Sequence, residues 1–233
     1  MYKKKDTAEA VKAAKKAVEL EPAHIEASLI LAIQNILDGK SDLALEILDE
    51  ALKTHEANVP LQLARMQAFQ KMDDKAGIES VFHELIKANP DKTNFRNNLT
   101  QFYLEQGQTE KAEAEIRAIA DANPDDESAK LNIVRFVRSV AGNDLAKAEL
   151  KKLIEAEPTN YTYQFALSEI ALIEKDLEKA KSILQGVIDK AGVEEDGLSG
   201  RNKISEILLR QGKQDEARVL VDEVINIDNR NVN

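Results

Sequence analysis

Residues 90–124 read PDKTNFRNNLTQFYLEQGQTEKAEAEIRAIADANP, a segment that opens on Pro90 and closes on Pro124, 34 positions later. Its second half carries Ala112, Ile116 and Ile119 at i, i+4 and i+7, which places them on one side of a helix. The turn Gly107-Gln108-Thr109-Glu110-Lys111-Ala112 separates that helix from a preceding one. Proline lacks an N–H and crowds the turn before it, so each boundary proline stops a helix. The segment therefore predicts a helical hairpin, 93–106 followed by 109–122.

The same spacing extends in both directions. Steps of 34 from Pro22 reach Glu56, Pro90, Pro124, Pro158 and Gly192, and only Pro60 lies outside the series. A small residue recurs at Ala10, Ala44, Ala112, Ala146 and Ala180, with Ile78 in its place once and Ala217 resuming after three extra residues near Glu195. Two apolar series accompany it: Ala14, Leu48, Phe82, Ile116, Leu150, Leu184 and Val221, and Ala17, Ala51, Leu85, Ile119, Leu153, Val187 and Val224. The register predicts first helices at 25–37, 59–72, 93–106, 127–140, 161–174 and 198–210. Second helices follow at 41–54, 75–88, 109–122, 143–156, 177–190 and 213–227, and a helix over 6–20 precedes them all. A fixed period of this length means a stacked repeat array, in which each unit buries its apolar face on its neighbours.

Period, order of small and large residues, boundary prolines and turns such as Gly39-Lys40-Ser41-Asp42-Leu43-Ala44 and Gly212-Lys213-Gln214-Asp215-Glu216-Ala217 resemble the tetratricopeptide repeat family over nearly the whole chain. That resemblance implies an all-α superhelix, a solenoid of six complete hairpins after a partial one. One domain over 1–233 then divides into a partial repeat 1–24 and repeats 25–58, 59–92, 93–126, 127–160, 161–197 and 198–233. There are departures: Arg65 stands where the first helix usually has Leu, Asp73 and Lys175 replace the turn glycine, and Ile78 replaces the small residue. Repeat 59–92 is thus the least regular, with its two helices expected slightly further apart. The register starts eleven positions into a repeat and ends without a polar capping helix, so a fragment of a longer array is expected.

The bulk chemistry narrows the function. A formal net charge of -10 disfavours a phosphate backbone as partner. The absence of cysteine removes thiolate nucleophiles and Cys-based zinc sites. No run of 18 apolar residues spans a membrane, and the basic start MYKKKDTAEAVKAAKKAVEL lacks the apolar stretch of a signal peptide. The compartment stays open: cytoplasmic, or periplasmic or exported if a longer parent carries a signal or lipid anchor. Asp38-Gly39-Lys40-Ser41 has Gln34 where a phosphate loop needs glycine, and leaves a helix rather than a strand. His24 falls in an inter-repeat loop, while His55 and His83 fall on different second helices, with no zinc-protease spacing. The sequon at Asn98 lies inside a helix, and the acidic loop 121–127 has no calcium-binding spacing. No catalytic residue, metal site or cofactor is expected.

In the family resembled, positions 2, 5, 6, 9, 12 and 13 of each first helix line a concave groove. Those positions hold Leu29, Ile30, Ile33, Ile36 and Leu37 in the first complete repeat, then Leu63, Ala64, Gln67, Gln70 and Lys71. Asn94, Asn97, Asn98, Gln101 and Glu105 come next, followed by Leu131, Asn132, Arg135 and Arg138, by Phe165, Ala166, Glu169, Leu172 and Ile173, and by Asn202, Lys203, Glu206 and Arg210. The middle is rich in amides, which both donate and accept, and so pair with an extended peptide backbone. Two arginines there suit a carboxylate held by two parallel hydrogen bonds. The expected peptide-binding residues are Gln67, Gln70, Lys71, Asn94, Asn97, Asn98, Gln101, Asn132, Arg135 and Arg138. Leu29 and Ile33 stand where the chaperone-tail clamp of the family has Lys and Asn, so that ligand is not expected. The apolar stripe Leu29, Ile33 and Ile36 packs either on a helix before Met1 or on a partner helix.

The resemblance implies a protein-binding scaffold or adaptor, of a type found in bacterial envelope and polysaccharide-export assemblies. The competing reading is a regulatory or substrate-recognition arm of a larger enzyme. Exposed terminal repeats also offer self-association.

Overall fold

The computed structural model describes residues 2–231, with side chains from 7 to 227. Thirteen helices are described: α1 (Tyr2–Leu20), α2 (Ile25–Leu37), α3 (Ser41–Leu52), α4 (Val59–Lys71), α5 (Lys75–Ala88), α6 (Thr93–Glu105) and α7 (Thr109–Ala122), then α8 (Glu127–Ala141), α9 (Asn143–Ala156), α10 (Thr162–Ile173), α11 (Leu177–Ala191), α12 (Glu195–Arg210) and α13 (Gln214–Asn231). No strand occurs among the described residues. The chain is an all-α helical repeat solenoid. It forms two compact units that meet in the chain between Ile119 and Ala120.

Each hairpin is built on its small residue. Ala44, Ala112, Ala146 and Ala180 are 0% exposed and Ala217 is 1% exposed. A methyl at the crossing lets the two backbones approach, and larger residues above and below fill the rest. In unit 1 Leu48 and Ala51 pack with Ala32, Ile36 and Leu61. In unit 2 Leu184 and Ile188 pack with Ala171, Ile204 and Ile207. Ile78 interrupts the series, and the hairpin compensates one residue earlier. The ring of Phe69 lies where a Cβ on Gly77 would sit, 2.3 Å from its Cδ1. Gly77 thus supplies the close contact that alanine supplies elsewhere.

The turns share a geometry. The second residue after α2, α4, α6, α10 and α12 takes a left-handed conformation, and the next N–H bonds to a carbonyl five residues back. Lys40 N donates to Asn35 O at 2.8 Å, Gln108 N to Tyr103 O at 2.8 Å and Lys213 N to Leu208 O at 2.9 Å. Gly39, Gly107 and Gly212 accept this at no steric cost, whereas Asp73 (φ 55) and Lys175 (φ 64) adopt the same conformation with a side chain. Pro60, the proline outside the periodic series, occupies the first turn of α4, where an N–H has no intrahelical acceptor. Asn58 caps that helix, its Oδ1 accepting from Leu61 N at 3.0 Å.

Three sequence expectations change. First, α12 starts at Glu195, not residue 198. The inserted residues add an N-terminal turn that folds back on the preceding loop. Arg201 Nη1 donates to Gly192 O at 2.7 Å, and a Cβ on Gly197 would meet that same carbonyl oxygen at 2.3 Å. Second, His55 lies in the loop after α3, which ends at Leu52. Third, Ile36 and Ala64, placed on the inner stripe by their spacing, are buried at 6% and 4% exposure in the unit 1 core.

Charged groups tie first helices to second helices. Arg96 Nη1 donates to Glu115 Oε2 at 2.6 Å, Lys130 pairs with Glu157, and Arg201 Nε lies 3.2 Å from Glu223 Oε2. Buried Tyr103 donates to Glu79 Oε1 at 2.8 Å, and Lys111 Nζ reaches the same oxygen. The bond from Lys111 holds Glu79 below the ordinary carboxylate range. Burial raises Glu84, but hydrogen bonds from Gln62 and Arg65 outweigh it and leave that carboxyl lowered.

Two outcomes are expected. Lys175→Gly relieves a left-handed lysine and raises the unfolding free energy by about 0.5–1 kcal/mol in urea melts. Asp73→Gly changes it less, because aspartate tolerates that conformation. Glu79 and Glu84, with lowered folded-state values, add stability above the unfolded value near pH 4 and lose it as pH falls through the folded value. The urea midpoint of the parent chain therefore falls between about pH 5 and pH 3, and that fall is shallower in Glu79→Gln.

Candidate peptide-binding surface

The first helices α4, α6, α8, α10 and α12 each turn one side into the hairpin. The opposite side carries the candidate residues. Helical spacing puts Gln67, Gln70 and Lys71 together on α4, Asn94, Asn97, Asn98 and Gln101 together on α6, and Asn132, Arg135 and Arg138 together on α8. All ten side chains are exposed, while their neighbours Leu99, Thr100, Val134 and Val137 are buried.

Of the candidate amides in unit 1, only Gln101 has a side-chain hydrogen bond among the described residues, its Nε2 donating to Glu105 Oε1 at 3.0 Å. This side also carries exposed Ile30, Ile33 and Leu37 on α2 and Leu63 on α4. The apolar stripe is broken, because Ile36 turns into the core and Leu29 is half-buried against it.

Unit 2 holds a more developed site. A cavity of about 380 Å³ is lined by Arg135 and Arg138 from α8, Phe165, Ala166 and Glu169 from α10, and Lys203 from α12. Arg135 Nη1 donates to Asn132 Oδ1 at 2.7 Å, so the candidate asparagine orients the candidate arginine. Lys203 Nζ sits 5.5 Å from the centroid of the Phe165 ring and 3.6 Å from Glu169 Oε1. An adjoining cavity of about 220 Å³ brings Lys203 beside Glu206 and Arg210. Phe165, Glu169, Lys203 and Arg210 occupy the same periodic positions as the ten candidates. Their inner spacing was readable, but the amide pattern drew the site assignment to the middle repeats.

Eight arginine side chains are described. Arg65, Arg96, Arg117, Arg201 and Arg218 face carboxylates. Arg138 and Arg210 have neither a hydrogen-bond nor an ion-pair partner among the described residues, and Arg135 has only Asn132. All three lie on the first-helix sides of unit 2. No cluster that could hold a metal ion occurs among the described residues, and no helix there is long and apolar enough to cross a membrane.

Two family models described as tetratricopeptide repeat match the chain, one over residues 74–131 and one over residues 2–24. No curated protein sequence matches it. Among solved structures, that of Naa15/Naa10 bound to HypK-THB aligns with 97% of this chain and 35% of its own length, at 14% identity and a TM-score of 0.50. A tetratricopeptide repeat protein from Parabacteroides merdae aligns over 97% and 88% of the two chains, at 17% identity and a TM-score of 0.44. YrrB, described as having an unusual peptide-binding site, aligns over 77% and 92%, at 16% identity and a TM-score of 0.41. The two family models match residues 2–24 and 74–131 as tetratricopeptide repeat, and the 34-residue period, the small residues at the helix crossings and the repeated left-handed turns carry the same pattern along the chain.

Proposed function

We propose that this chain is a non-enzymatic interaction scaffold whose unit 2 takes an acidic, extended protein segment along α8, α10 and α12. The tetratricopeptide fold is a protein-interaction fold, and the observation that carries the finer reading is the placement of the unpaired arginines. In a chain with formal net charge -10, carboxylates are plentiful, and every other described arginine faces one. Arg135, Arg138 and Arg210 do not. Glu169 and Glu206 share their cavities without pairing with them, and a guanidinium left without an ion pair keeps its paired donors for a ligand's carboxylate. Arg135 and Arg138 share one helical side with Asn132, and the Phe165 ring offers apolar surface for a neighbouring ligand side chain.

The amides of unit 1 suit a different part of recognition. Gln67, Gln70, Asn94, Asn97, Asn98 and Gln101, with Lys71 beside them, offer donors and acceptors to a peptide backbone without reading its side chains. We assign them a sequence-tolerant contact, and the unit 2 arginines the selective one.

Synthetic peptides of graded acidity, read by fluorescence anisotropy, test this. Acidic peptides should bind more tightly than neutral ones of the same length, and the preference should shrink with added salt. Arg135→Glu with Arg138→Glu should weaken the acidic peptide at least tenfold, about 1.4 kcal/mol or more, with helical circular dichroism unchanged. Equal affinity for acidic and neutral peptides, or an unchanged constant in the double variant, overturns the assignment.

A further inference from the structure

Unit 1 holds a second cavity, of about 600 Å³, between α3, α4 and α5. It comes from one departure in the repeat. The position occupied by Leu31, Leu99, Leu167 and Ile204 in sister repeats holds Arg65. A side chain that should fill the hairpin instead spans two second helices. Arg65 Nε lies 2.8 Å from Asp49 Oδ1 on α3, and its Nη1 donates to Glu84 Oε2 on α5 at 2.8 Å.

Gln62, one helical turn earlier, lines the same cavity and is 2% exposed. Its Nε2 donates to Glu84 Oε2 at 2.8 Å and to Glu56 O at 3.2 Å. Its Oε1 has no hydrogen-bond partner among the described residues. A buried, unmatched amide oxygen is costly, and apolar residues at positions 62 and 65 would avoid that cost. Sites where a repeat breaks its own packing rule are where function is expected.

The unclaimed acceptors are Gln62 Oε1, the second oxygen of Asp49 and the Glu56 carboxylate, while the one unclaimed buried donor among the described lining residues, Arg65 Nε, already lies 2.8 Å from Asp49 Oδ1. Three carboxylates line the cavity against Arg65 and Lys87, and Leu52, Ala57 and Ala88 supply apolar wall. We propose that this cavity receives an arginine side chain presented by a partner protein. A planar guanidinium spreads five N–H donors over acceptors that diverge in direction, and it gives up water more readily than an ammonium. Its methylene stem packs on the apolar wall. The site lies on another unit from the acidic-segment site and prefers the opposite charge, so it goes beyond that function and stands or falls separately.

The test is NMR of the Gln62 side-chain amide in the full chain, titrated with N-acetyl-arginine amide and with its neutral isostere N-acetyl-citrulline amide. The arginine compound should shift the Gln62 Nε2 protons with a dissociation constant in the millimolar range, and citrulline should bind about tenfold more weakly. Glu56→Gln, in an exposed loop that leaves the helices intact, should weaken the arginine compound several-fold. Equal response to the two compounds, no shift of the Gln62 amide, or an unchanged constant in Glu56→Gln overturns the proposal.

Discussion

The whole architecture rests on the contact between two helices at a residue small enough to let their backbones meet. Ala44, Ala112, Ala146 and Ala180 are fully buried at these crossings. Once that side of the first helix is committed to its hairpin partner, the large residues that follow are buried with it. The opposite side of the first helix is then left for solvent or a ligand. Gly77 shows how strict the requirement is: where Ile78 takes the alanine's place, the adjacent glycine accepts the Phe69 ring and restores the close contact.

Charge is distributed in a way that follows from this geometry. Cations that reach carboxylates on a second helix or at its end, such as Arg96, Lys130 and Arg201, are consumed in ties within the repeat. These ties are part-buried, and pairs of this kind that reach solvent contribute little each, about 0–1 kcal/mol. They also occupy arginines that would otherwise compete for the acidic segment proposed as ligand. Among the described residues, the arginines without an ion pair lie on the first-helix sides of unit 2, Arg135 and Arg138 in the cavity that holds the Phe165 ring.

Most helices were legible in the sequence because period, small residue and boundary proline all mark the same places. The start of α12 was not, since an inserted segment can loop out or extend a helix, and only the fit of Gly197 against the Gly192 carbonyl decides between them. Ile36 and Ala64 satisfy the inner spacing yet pack inward, because a spacing of three and four cannot resolve the edge of a buried stripe. For the candidate surface, the positions of Gln67, Asn98, Asn132, Arg135 and their neighbours were readable. Which cations lack a carboxylate was not, because pairing across helices depends on side-chain reach. Arg65 was visible as a departure, but not the cavity it opens.

The division of labour proposed is that first-helix sides bind and second helices build. Its most direct test is a photo-crosslinking residue placed singly at Asn132 on α8 or at Lys151 on α9, both exposed, with an acidic peptide as ligand. Crosslinked product is expected from position 132 and none above background from position 151. Equal yields, or product from position 151 alone, would contradict it.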